Sequence, residues 1–180
     1  ELDSTDAESY LLGGREFNSK AEYYFWRGRS SYFLKKDLQA FKDFNKAIEL
    51  DSIDTENYLS GGQEYKFRAE HYFWRGKTYY LSGKYDQAIE DFNKAIDLDS
   101  TDADFYYFRG QLHHNKKEYV KSYFDANKAF ELNPQDQLYL WLRNDSKARF
   151  SAKSYYFFKI KNDLNQADKY FKENRLIEAL

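Results

Sequence analysis

Cysteine and methionine are absent from the 180 residues, and proline occurs once. Without cysteine the chain forms no disulfide, offers no thiolate to zinc and carries no thiol nucleophile, which fits a reducing, cytoplasmic setting. No run of about 18 apolar residues exists, so no membrane insertion is expected. Glu1 follows no basic, apolar and small-residue succession of the kind a secretory leader needs, and the missing initiator methionine predicts an excerpt of a longer chain. Charge of one sign is lacking too: 28 Lys and Arg stand against 30 Asp and Glu. With no long basic block to track phosphates, nucleic acid is not an expected partner.

Catalytic and metal-binding patterns are equally scarce. The glycine pairs Gly13-Gly14 and Gly61-Gly62 lack the following Lys and Ser or Thr of a phosphate loop, and no nucleophile elbow or Ser, His, Asp succession occurs. Of the three histidines, His113 and His114 are adjacent and point about 100° apart on a helix, so they cannot chelate one ion as an i, i+4 pair does. The carboxylates cluster in turns such as "DLDSTD", where they read as helix caps rather than as acids with raised pKa. Asn144-Asp145-Ser146 matches a glycosylation acceptor without a secretory context. No catalytic residue, metal or cofactor is expected, and the chain reads as no enzyme.

Aromatic residues, by contrast, make up 21% of the chain, nearly all Tyr and Phe. They come in a phrase written three times: "AEYYFWRGRSSY" from Ala21, "AEHYFWRGKTYY" from Ala69 and "ADFYYFRGQLHH" from Ala103. Internal repetition decides the fold. Within Ala69 to Asp102, Tyr72, Gly76 and Tyr79 recur at helical spacing, "LSGK" interrupts, and Tyr85, Ala88, Ile89, Phe92, Ala95 and Ile96 recur again. The unit is predicted to be an antiparallel helical hairpin, with Gly76, Ala88 and Ala95 allowing close approach. Asp6, Asp54, Asp102 and Asp136 are placed as N-caps.

Tyr72, Arg75, Gly76, Tyr79, Ala88, Phe92 and Ser100 stand in the order of the tetratricopeptide repeat signature, and the unit resembles that family. Gly28, Ala40, Phe44 and Ala47 repeat the pattern upstream; Gly110, Ser122, Ala126, Ala129 and Pro134 repeat it downstream. The resemblance implies an all-α solenoid of stacked hairpins winding as a right-handed superhelix. As one repeat domain over residues 1–180, the chain divides into units at about 21–54, 69–102 and 103–136 and a degenerate one at 148–180. Insertions are expected at about 7–20, 55–68 and 137–147, the first two resembling a partial extra helix bent by its glycine pair.

Arg27, Arg75 and Arg109 precede the signature glycines while Asp43, Asp91 and Asp125 travel with them in the second helices. In the unit at 148–180, Ser154 and Tyr170 hold those places, so both charges vanish together. Joint presence and absence predicts an ion pair inside each hairpin. Tyr72, Gly76 and Tyr79 are assigned to the core against the second helix, and His113, standing for the signature tyrosine, is assigned to packing.

A second face carries Phe25, Trp26, Arg29 and Tyr32; Phe73, Trp74, Lys77 and Tyr80; and Tyr107, Phe108, Gln111 and His114. The resemblance implies that this face lines a concave groove. Surplus rings there mark either a site that takes a protein or peptide with apolar anchors, or extra core beneath the insertions. Arg29 and Lys77 favour an acidic residue near those anchors. Replacing Trp74 with alanine is expected to weaken binding and leave stability unchanged. Some family members clamp a C-terminal carboxylate through Lys, Asn and Arg, and the rings at those places here set this chain apart. A self-associating scaffold and a regulatory part of a larger enzyme stand as alternatives to the protein-interaction module.

Overall fold

The structure, a computed structural model, describes residues 19–53 and 63–150, which form seven helices and no strand. In chain order they are α1 (Lys20–Phe33), α2 (Asp37–Ile53), α3 (Gln63–Leu81), α4 (Tyr85–Leu98), α5 (Ala103–Asn115), α6 (Tyr119–Leu132) and α7 (Gln137–Arg149). Three hairpins result, α1 with α2, α3 with α4 and α5 with α6, and α7 packs against α6.

The helix ends follow local chemistry. Asp102 Oδ1 accepts from the Asp104 amide at 2.9 Å and Asp136 Oδ1 from the Leu138 amide at 2.8 Å, so both act as the N-caps expected of them. Ser19 does the same for α1 through the Glu22 amide, while Asp6 and Asp54 lie outside the described residues. Each hairpin turn closes identically: the amides of Lys36, Lys84 and Glu118 donate to the carbonyls of Ser31, Tyr79 and His113 at 2.8 to 2.9 Å. The residue just before each of those donors lies in the left-handed region, Lys35 at φ 56°, Gly83 at φ 72° and Lys117 at φ 61°. Only the middle turn uses the residue that adopts this conformation without strain.

Close packing inside each hairpin depends on small side chains. A Cβ on Gly28 would lie 2.8 Å from Phe44 Cε1, and one on Gly76 2.8 Å from Phe92 Cε1, so a methyl cannot enter without moving a buried ring. In the third hairpin Ala126 stands where the phenylalanines stood, and Leu142 from α7 fills the space over Gly110, 3.3 Å from its virtual Cβ. Ala40, Ala47, Ala88, Ala95, Ala126 and Ala129 are fully buried along the second helices.

Two boundaries differ from the sequence expectation. Residues 63–68, expected in an insertion that resembles a partial extra helix, run on without a break as the first turns of α3, and Phe67 there packs on Phe25 with ring centroids 5.0 Å apart. Residues 137–147 are helical as well. They begin 34 residues after Ala103, bury Tyr139 and Leu142 against the third hairpin, and continue the repeat register. Asn144 occupies the place of the signature glycine, which hides the unit from a signature search. Beyond Phe150 the expected unit at 148–180 lies outside the described residues, as do residues 1–18 and 54–62.

The helices form two layers. α1 touches α3, α3 touches α5 and α5 touches α7, whereas α2, α4 and α6 make no contact with one another. Neighbouring first helices therefore approach one another more closely than neighbouring second helices do.

Candidate functional site: the layer of first helices

Three arginines fix the orientation of the first helices. Arg27 grips Asp43, Arg75 grips Asp91 and Arg109 grips Asp125, each through two parallel bonds between 2.5 and 2.9 Å. All three pairs expected within the hairpins are present. Arg75 Nη1 also donates to Asn45 at 2.8 Å and Arg109 Nη1 to Asn93 at 2.7 Å. Each of these two guanidiniums thus joins its own hairpin to the preceding one. The sequence reading missed the asparagines, although Asn45, Asn93 and Asn127 recur two residues after each aspartate.

With the first helices so oriented, the aromatic row divides. Phe25 is fully buried, Phe73 is 5% exposed, Tyr107 7% and Trp74 8%. These four rings are core, so for them the expectation of an open groove lining is corrected and the alternative of extra core holds. The cause is the neighbouring first helix more than the hairpin partner. Phe25 meets Phe67 and His71 of α3, Phe73 meets Phe105 and Phe108 of α5, and Tyr107 meets Tyr139 of α7, at centroid distances of 4.7 to 5.4 Å. Trp74 wedges against Tyr32 and Phe33 of α1. A Trp74→Ala change therefore cannot leave stability untouched. Conversely, Tyr72 and Tyr79, assigned to the core by spacing, are only half-buried and flank the Arg75 guanidinium.

Trp26, Arg29, Tyr32, Lys77, Tyr80, Phe108, Gln111 and His114 are half-buried. The Arg29 guanidinium lies over both Trp26 and Trp74, 4.6 and 4.5 Å from the ring centres. The Lys77 ammonium lies 4.1 Å from the same Trp74 ring. Gln111 Nε2 donates to the Tyr107 hydroxyl at 2.6 Å, and His114 Nε2 sits 2.6 Å from Asp145 of α7. Burial pushes the Glu70 carboxyl, on the same helix, above its usual range against the pull of Arg29.

One ring on this layer was not anticipated. Trp141 is 57% exposed, as is Leu138 one turn earlier, and Trp141 approaches the His114 ring at 6.2 Å. Its signal was the spacing: Trp141 stands 34 residues after Tyr107.

The remaining histidines take packing places. His71 is fully buried between Phe25 and Phe67, with Nδ1 2.6 Å from Asp51. His113 is buried, with Nδ1 2.7 Å from Glu118, and burial holds its imidazole below the usual value although Asp125 and Glu118 oppose this. Among the described residues no three His, Asp or Glu side chains converge as a metal site, and no helix is long and apolar enough to cross a membrane.

Family models described as "TPR repeat" and "Tetratricopeptide repeat" match the chain, the first over residues 70–117 and the second over residues 21–54 and 103–136. The chain is a tetratricopeptide-like helical repeat protein. Among solved structures, the TPR domain of Arabidopsis OM64 superposes with a TM-score of 0.60 at 20% identity, over 72% of this chain and 96% of that one. The first TPR of Spaghetti (RPAP3), bound to the HSP90 peptide SRMEEVD, gives 0.62 at 18% identity over 76% and 97%. MamA gives 0.57 at 18% over 92% and 89%. Identities this low establish a shared fold. No curated protein matches the chain by sequence.

Proposed function

We propose that the concave layer of α1, α3, α5 and α7 holds an extended or helical segment of a partner protein, making the chain a non-catalytic interaction module. The observation that carries this reading is a rigid aromatic floor ending in an open ring. Phe25, Phe73, Trp74 and Tyr107 are locked by packing, and the half-buried row from Trp26 to His114 lies over them. Trp141 then offers a large, exposed contact surface at the end of the row. Preorganised rings supply contact area at low entropic cost, which is how hot spots form. Structures sharing the fold were solved with HSP90 and HSP70 peptides, which supports peptide binding as a use of this fold.

The reading is tested with peptides selected by display against the intact chain. Trp141→Ala should weaken their binding by about 2 kcal/mol or more, while an exposed side chain costs little stability when truncated. Unchanged affinity in that variant would remove Trp141 from the site.

A further inference from the structure

We propose that Lys77 receives a side-chain carboxylate of the bound segment, so that the groove selects an Asp or Glu placed beside an apolar residue. This rests on the groove reading above and concerns which chemistry the groove accepts.

The Lys77 ammonium is surrounded by rings from three helices. Trp74 lies 4.1 Å away, Phe108 4.6 Å, Phe73 5.3 Å and Tyr32 5.5 Å, measured to the ring centres. These rings displace water from the ammonium, and their π-faces compensate part of the loss. Yet Lys77 makes no hydrogen bond or ion pair among the described residues. The contrast with Arg27, Arg75 and Arg109, each holding an aspartate at 2.5 to 2.6 Å, is plain. Those three guanidiniums are each matched by an internal acid, whereas among the described residues Lys77 is not.

The groups facing Lys77 sharpen the point. Arg29 shares the Trp74 ring, so a second positive charge lies close by. Asp104 is the acid that pulls hardest on Lys77, but it accepts the Tyr139 hydroxyl at 2.6 Å. Burial, aided by Arg29 and opposed by Asp104, lowers the ammonium to about 8, so it remains mostly charged at neutral pH. A carboxylate from outside would relieve the mismatch, and its neighbour in the segment would cover the rings.

The test measures fluorescence anisotropy of labelled, C-terminally amidated peptides of apolar-Glu-apolar pattern, their Gln isosteres, and free-terminus peptides without an internal acid. Glu peptides should bind the intact chain about tenfold more tightly than Gln peptides at pH 7, the worth of one charge-assisted bond. That preference should disappear in Lys77→Gln, persist in Lys77→Arg, and fade in the parent chain as pH rises past 8. Equal binding of Glu and Gln peptides, or preference for a free terminus over both, overturns the carboxylate subsite and leaves the groove standing. Binding by none of the peptides overturns both.

Discussion

Removing one member of the Arg75–Asp91 pair should expose how the stack is held. The guanidinium is 19% exposed and the carboxylate 6%, and their two bonds measure 2.8 and 2.6 Å. A third bond reaches Asn45 of the preceding hairpin. Arg75→Ala leaves a carboxylate facing apolar packing, and Asp91→Ala leaves a guanidinium with Asn45 and two tyrosine faces. Breaking a buried pair from one side costs about 3 kcal/mol, at the low end of the range because the arginine retains some solvent. For a chain of this size that corresponds to a Tm loss of about 6 to 12 °C. Truncating both partners should cost less than the sum by about 2 kcal/mol, since the second change removes the charge that the first left unpaired.

The same pair sets a pH dependence. Burial holds the Asp91 carboxyl above its usual range even with Arg75 lowering it. A carboxyl raised in the folded state binds a proton more readily there than in the unfolded chain, so stability falls as pH rises above the ordinary carboxylate value. Removing Arg75 raises that carboxyl further. The Arg75→Ala penalty should therefore be largest near pH 7 and shrink toward pH 5. Urea denaturation followed by far-UV circular dichroism at both pH values reads it. A penalty below about 1 kcal/mol, or strict additivity in the double variant, would refute the reasoning.

Three further outcomes are expected. Gly76→Ala should destabilise the fold, because a clash with fully buried Phe92 costs about 1 to 3 kcal/mol and outweighs a helix-propensity gain of about 1 kcal/mol; combining it with Phe92→Leu should recover part of the loss in the same denaturation assay. Trp74→Ala should cost about 3 to 5 kcal/mol as a core truncation, and a melting temperature equal to that of the parent would contradict its placement. His113, held below its usual value by burial, contributes stability that is lost as pH falls through 6.5, so His113→Tyr should gain on the parent between pH 7 and pH 5 when their denaturation midpoints are compared.

The hairpins, the caps at Asp102 and Asp136 and the three ion pairs were legible because each is set by short-range spacing that repeats. Core membership of the rings was not. Whether Phe73 or Tyr72 is sealed depends on α5, a helix that begins 30 residues further on, and periodicity within one helix cannot weigh that contact. The helical hairpin accounts for one apolar stripe, and stacking of first helices accounts for the second. α7 escaped notice because Asn144 replaces the glycine, leaving only the distance from Ala103 to betray the unit. Trp141, the exposed ring of the candidate site, was concealed with it.

Binding of a protein segment by the first-helix layer is read from backbone amide shifts of the isotope-labelled chain, followed as a display-selected peptide is titrated in. Shifts concentrated at Lys77, Tyr80, Phe108, Gln111, His114 and Trp141 are expected. Shifts confined to α2, α4 and α6, with those six residues unmoved, would contradict it.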